Sequence, residues 1–342
     1  GEALANEEDF EDGLDLSGEA AFASLGDDAP LLSFDGEADP PAAITLGDVR
    51  YPVHRTMGGN GLWAQRFLTQ VGRSYYVLPV QYDEATSGYS AYGLDDWSNG
   101  TVARYTSASQ VPADISFEAQ CSGCHNTGEL IEFDSGEFVT GYVEMNIGCE
   151  QCHGPGEAHA ATGNPTLIAN PEDLLDGTSD GVAAANDVCA RCHENGHGAD
   201  PYPGTSVTGH FGFNATRGVA QPFDGIDGFL VRSEDPDDFW GFKSNPAFFL
   251  PGPTSVASRG QPQQGLDMEI GAHGPNNSFS PTCFECHDAH GSPQDHLLRP
   301  TIGRAPGVAT RLDDNSHCLA CHAGHGDFAG VTKDDVGVIS SG

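Results

Sequence analysis

Ten cysteines carry the chemistry of this chain, and they fall in five pairs: Cys121/Cys124, Cys149/Cys152, Cys189/Cys192, Cys283/Cys286 and Cys318/Cys321. Every pair is C-x-x-C, and each is followed at once by a histidine: His125, His153, His193, His287 and His322. No cysteine is left over. The C-x-x-C-H pentapeptide is the attachment pattern of c-type haem. Each thiol forms a thioether with a porphyrin vinyl group. The three-residue step puts both sulfurs on one side of a short helical turn, and the next residue presents its imidazole to the iron as proximal ligand. Zinc knuckles would need pairs that combine into tetrahedral sets, with no requirement for histidine after each pair. A disulfide framework would not need those histidines either. Five repeats predict five covalent haem c groups, and so a relay of cofactors on one chain.

The sixth iron ligand must come from elsewhere. Nine further histidines are available, against three methionines, Met57, Met145 and Met268. That surplus predicts paired-histidine ligation and low potentials, since methionine would raise them. Five distal candidates emerge. His159 lies in CEQCHGPGEAH and His290 in CFECHDAH. Each stands too close to its own proximal ligand to reach the far face of that porphyrin, but each can reach a neighbouring one. His273 sits in a Gly/Asn-rich loop before Cys283, and His54 is alone among the first 120 residues. His210 is favoured for the fifth position with His197 in reserve, and His296, His317 and His325 stand behind them.

The elements around these residues must be short. Gly (45) and Pro (22) together make about a fifth of the 342 residues, which predicts many loops and few long helices. The expected fold is mostly irregular and loop-rich, with short helices and a small β-hairpin wrapped around a chain of five haems. Residues 1–49 hold fourteen acids and no Lys or Arg; they are expected to be an acidic arm, held by its own body, a cation or a neighbouring subunit. Residues 50–120 form a haem-free β-containing segment, in which LWAQRFLTQVGRSYYVLPVQY (62–82) reads as a hairpin about a VGRS turn. Residues 121–197 carry three motifs, 198–282 a Gly/Pro/aromatic loop region, and 283–342 the last two.

Net charge is −36. Such a surface repels nucleic acid and anionic lipid and tolerates high salt. Acidic loops such as DGIDGF (224–229) and EDPDDFW (234–240) are candidate calcium ligands, although none matches an EF-hand. No apolar run approaches a membrane span. Gly1 begins without a basic n-region or apolar h-region, so any export signal is expected to have been removed.

The stretches Trp63–Tyr82, Ile147–His159 (IGCEQCHGPGEAH), Cys286–Ser292 (CHDAHGS) and Asn315–Phe328 (NSHCLACHAGHGDF) together resemble a broad group of multihaem cytochromes. This group is similar to the tetrahaem electron carriers of ammonia oxidisers and to cytochromes that polymerise into extracellular nanowires. The resemblance runs from Trp63 to Phe328, excluding much of 198–265, and residues 1–49 have no counterpart in it. It implies little regular secondary structure around stacked and perpendicular haem pairs, a location outside the cytoplasm, and His159 and His290 as distal ligands. It also implies an electron-transfer protein that is not an enzyme, conducting at the cell surface or extracellularly (alternatively in the periplasm). Its partners would be copies of itself and redox proteins or extracellular acceptors. The alternatives are a soluble shuttle, or a reductase of a small nitrogen or sulfur oxyanion. An enzyme needs an open iron position, and here every motif ends in histidine with enough further histidines to close each iron.

Overall fold

The computed structural model describes residues 13–59, 63–97 except 85, and 115–231 except 195 and 210; beyond these it describes 242–243, 257–258, 264–265, 268, 273–274, 280–292, 297–302, 316–325, 329–332 and 334–335. His210, His296 and the 234–240 loop lie outside the described residues.

Two four-stranded antiparallel sheets occupy the region before the first motif, each a simple meander. The first joins β1 (Leu14–Asp15), β2 (Leu31–Phe34), β3 (Ala42–Leu46) and β4 (Val49–Pro52). The second joins β5 (Arg55–Gly59), β6 (Trp63–Val71), β7 (Ser74–Asp83) and β8 (Gly88–Ala91). The hairpin read from residues 62–82 is therefore the central pair of a wider sheet. Val71 and Ser74 face each other across a two-residue turn, and Gly72 there has φ +67°. Glycine supplies that left-handed backbone without strain, and the turn's twist matches the strands it joins.

Residues 13–49 are no loose arm. Asp15, Glu19, Asp27, Asp35, Glu37, Asp39 and Asp48 are all exposed, while the apolar residues between them turn inward. Leu16, Phe22, Leu32, Ile44 and Leu46 share one core with Tyr51, Phe67, Leu78, Val80 and Trp97 of the following segment. Burying a side chain of this size contributes roughly 1.5–3 kcal/mol, so some ten of them hold a densely charged segment in place. Trp97 closes the core edge-on to Tyr51 at 5.3 Å, its indole N–H donating to the Val77 carbonyl at 2.9 Å.

From residue 115 onward the chain changes character. Helices are short, namely Phe117–Gln120, Ser122–His125, Glu150–His153, Glu157–Thr162, Cys283–Cys286 and Ser316–His322, with one longer helix at Ser179–Ala190. The longer one begins at Thr178, whose hydroxyl accepts from Gly181 N–H at 3.1 Å, with Asp180 in its first turn; both satisfy the helix N-terminus. A hairpin, β9 (Leu130–Asp134) with β10 (Glu137–Gly141), follows the first motif. The fold is thus loop-rich with short helices and small antiparallel sheets.

The tip of the β6–β7 hairpin ties the two regions together. Arg73 pairs with Asp134 at 2.9 Å, and its N–H donates to Glu137 at 2.7 Å. The buried Ser74 hydroxyl donates to the Phe138 carbonyl at 2.6 Å. Tyr75 N–H donates to both carboxylate oxygens of Glu118, at 3.0 and 3.1 Å. Glu118 precedes the first motif, so this hairpin positions it. No helix among the described residues is long and apolar enough to cross a membrane.

Candidate haem centres

Each motif adopts the same local geometry. In the first four, the histidine N–H donates to the carbonyl of the first cysteine: His125 to Cys121 at 3.1 Å, His153 to Cys149 at 3.0 Å, His193 to Cys189 at 3.0 Å and His287 to Cys283 at 2.9 Å. In the fifth, Cys318, Cys321 and His322 share the helix Ser316–His322. One helical turn therefore sets two sulfurs and an imidazole in fixed relation, as covalent haem attachment requires. All ten cysteines are free thiols, none in a disulfide.

Two motif histidines stand beside distal candidates. His153 and His290 face each other with ring centroids 5.7 Å apart and planes 11° apart. His322 and His273 stand 5.9 Å apart. With metal–imidazole bonds of about 2 Å, two rings on opposite sides of one metal fall about 6 Å centre to centre. In both pairs one member is a motif histidine and the other one of the distal candidates, His290 and His273. His290 stands just after the fourth motif but meets the histidine of the second.

The outer hydrogen bonds separate the remaining candidates. A metal-bound imidazole nearly always donates its other N–H to an oxygen, which fixes the tautomer. His153 donates from Nδ1 to the Ala169 carbonyl at 2.7 Å, and His193 to Gln264 Oε1 at 3.3 Å. His159 donates to the Asn164 carbonyl at 2.9 Å and His197 to the Gly198 carbonyl at 3.0 Å. All four leave Nε2 with a lone pair. His54 has the opposite polarity, its Nδ1 accepting from Gln70 N–H at 3.1 Å. Burial lowers its pKa, against a hydrogen bond to the Pro52 carbonyl. Burial, and then Arg66, likewise lower the pKa of His125, which favours the neutral imidazole that a metal takes.

Thiols of different motifs lie close together: Cys124 and Cys192 pack against one cluster and shift each other's titration, and Cys189 and Cys283 likewise shift each other's titration. Cys152 feels Cys189 and Cys192, and Cys286 feels Cys321 and Cys318. Burial pushes the Cys121 thiol up to about 12. The third motif is thus the neighbour of the first, second and fourth. Asn186 locks the fourth onto the helix of the third, accepting from Cys283 N–H at 2.8 Å and donating to the Pro281 carbonyl at 3.2 Å.

Three buried polar residues among the motifs escaped the sequence reading. Glu118 is 2% exposed, and burial raises its pKa to about 8 against the Tyr75 hydrogen bond. Burial also raises the Glu129 pKa to about 8, and neither of its carboxylate oxygens has a hydrogen-bond partner. Arg191, inside the third motif, is 3% exposed. A signal existed for it, because among the five x-x gaps only this one holds a cation. Nothing local marks either glutamate as buried. For calcium, no metal-holding group of His, Cys, Asp and Glu occurs among the described residues. Asp224 of the DGIDGF loop instead accepts from Gln221 N–H at 3.0 Å.

These residues fit haem. Paired free thiols, a histidine on the same turn, two facing imidazole pairs and correctly polarised outer hydrogen bonds are what covalent haem needs, and haem, when bound, supplies reversible one-electron chemistry.

The family model described as "Cytochrome c554 and c-prime" matches residues 85–154, which contain the first two motifs. No curated protein matches. Among solved structures the chain is similar to the Outer Cell Wall Cytochrome OcwA, with 16% identity and a TM-score of 0.44 over 83% of this chain and 53% of that one. It is also similar to an undecaheme cytochrome from the S-layer of Carboxydothermus ferrireducens, with 19% identity and a TM-score of 0.34 over 80% of this chain and 36% of that one. The chain spans about half the length of the first and about a third of the second. The family match covers the first two C-x-x-C-H motifs, and three more motifs of the same kind follow it, so over residues 85–154 the chain is similar to c-type cytochromes.

Proposed function

We propose that this cytochrome carries five haems and conducts electrons along them outside the cytoplasm. The observation that carries the reading is the facing of motif and non-motif histidines, His153 with His290 at 5.7 Å and His322 with His273 at 5.9 Å. An iron closed on both faces has no position for substrate, which suits electron transfer rather than catalysis. His290 and His273 serve the second and fifth haems. His159 and His197, with Nε2 free to ligate, serve two of the others, and His210 remains a candidate for the fifth place. His54, polarised the other way, is the weakest of the distal set. Each cysteine pair holds its porphyrin covalently, and His125, His153, His193, His287 and His322 are the proximal ligands.

The inter-motif thiol contacts support an order in space that differs from the order in sequence. The third haem adjoins the first, second and fourth, and the fourth adjoins the fifth. Covalent c-type attachment takes place outside the cytoplasm, and the printed names of the two structural neighbours speak of a cell wall and an S-layer for those proteins. We read this chain as a cell-surface or extracellular conduit on those grounds. Assembly into a filament rests on the resemblance to nanowire cytochromes. Residues 13–49 do not motivate it, since they are consumed in the chain's own core.

Intact mass of the denatured protein tests the central claim, and five added haem masses are expected. Electron paramagnetic resonance of the oxidised protein should show low-spin iron only. A mass equal to the bare polypeptide, or a dominant high-spin signal, removes the reading. Negative-stain microscopy decides filament against monomer.

A further inference from the structure

Among the described residues of the motif-bearing region Arg191 is the most deeply buried cation, at 3% exposure, in a chain of net charge −36. Its guanidinium donates to two neutral acceptors, the Ala220 carbonyl at 2.9 Å and the Gln151 carbonyl. It lies near the Phe211 ring at 5.9 Å. Its Nε has no hydrogen-bond partner, and among the described residues no carboxylate lies within ion-pair distance of it. It lines a cavity of about 60 Å³ shared with Gly123 of the first motif, Glu150 and Gln151 of the second, Glu129 and Phe211.

What offsets its charge is informative. Burial pulls its pKa down, and the opposing groups are Cys192, Cys152 and Cys124, then Asp224. A thioether sulfur carries no charge, so once the cysteines are bonded to porphyrin the first three contribute nothing. Asp224 is shared with Arg217 at 3.8 Å. Guanidinium does not deprotonate in a protein, and leaving a buried charge uncompensated costs several kcal/mol. The compensation must arrive with the cofactors, as their acidic side groups and as the electron itself. Arg191 therefore favours the state in which a nearby iron has gained one electron and one unit of positive charge has been cancelled.

Resting on the five-haem reading, we propose that Arg191 sets the potentials of the chain, making the cluster at the first three motifs the place where electrons rest. It belongs to the third motif and neighbours Cys152 of the second and Cys124 of the first. Among the described residues the cation beside the fourth motif is Arg299, whose effect on Cys286 comes after those of Cys321, Glu285 and Cys318. The acidic surface lowers all five potentials; Arg191 opposes that effect locally and so gives the conduit an internal slope.

The test is spectroelectrochemical titration of the haem-loaded protein. R191Q is expected to shift at least one midpoint negative, changing the ferrous-to-ferric ratio tenfold or more at fixed potential, which is about 59 mV for one electron. R191K, which retains the charge, should keep most of the original potential. An R191Q protein that carries five haems by mass but has unchanged midpoints overturns the proposal. So does an R191K shift as large as that of R191Q, since packing rather than charge would then be the cause. If R191Q does not load, Q151E adds a carboxylate to the cavity that Gln151 and Arg191 both line and should lower the same midpoints; no change in that variant overturns the proposal as well. Wild-type protein lacking five haems would defeat the underlying reading instead, so the two failures are distinguishable.

Discussion

Glu118→Gln isolates one buried carboxyl that links the β-region to the first haem motif. Glu118 is 2% exposed and holds Tyr75 N–H with both oxygens, at 3.0 and 3.1 Å. Desolvation outweighs that hydrogen bond, and the nearby Glu129 adds to the rise, so the group titrates at about 8 when folded. In the unfolded chain it titrates near its ordinary 4.5. The folded state therefore binds more protons between these values. Stability must fall as pH rises through that window and level off above it. At 1.36 kcal/mol per pKa unit the full span is roughly 5 kcal/mol for this one residue, an upper figure because water and side chains relax around a new charge. Glutamine keeps an oxygen for Tyr75 N–H and removes the titration. The assay is denaturant unfolding of the haem-loaded protein at pH 5, 7 and 9, followed by circular dichroism, with the difference between variant and wild type as the quantity of interest. E118Q should lose stability more slowly with pH and be the more stable protein at pH 9 by a few kcal/mol. Parallel profiles for the two proteins, or a wild type that gains stability across this range relative to E118Q, would refute the argument.

Three further outcomes follow from the geometry. His290→Ala should open one iron, so that the oxidised protein gains a high-spin component and the reduced protein binds carbon monoxide at one haem, while His54→Ala, at an imidazole whose Nδ1 already accepts from Gln70, leaves the spectrum unchanged. Gly123→Ala puts a Cβ 2.2 Å from Phe211 Cγ inside the first motif; overpacking of this kind costs about 1–3 kcal/mol or more, measured as a lower thermal midpoint of haem-loaded protein. Thr178→Ala removes the cap of the helix Ser179–Ala190 and should cost about 1 kcal/mol in denaturant unfolding, without altering the low-spin spectrum.

The cysteine–histidine motifs are legible because their chemistry is confined to five consecutive residues on one helical turn, where spacing and geometry are nearly the same thing. The β6–β7 hairpin is legible for a similar reason: alternating apolar residues flank a glycine turn, and pairing partners are adjacent in the chain. The sheet of residues 14–52 is not. Its acids dominate the composition, and they lie on the solvent side of strands whose inward residues, from Leu16 to Leu46, are few and widely spaced. Whether such residues suffice depends on finding Phe67, Leu78 and Trp97 opposite them, which is a tertiary matter.

Sequence by itself determined the attachment chemistry, the number of candidate haem sites and the pool of histidines from which the remaining ligands are drawn. Tertiary structure alone decided the partners, setting His290 beside the histidine of the second motif and His273 beside that of the fifth, aiming Nδ1 of His54 at Gln70 N–H, and burying Arg191 and Glu118 near the cysteines. The physical reason is range. Attachment needs contacts within one turn of chain, whereas an imidazole pair across a metal, or the cost of a buried charge, depends on which distant segments the packed chain brings together.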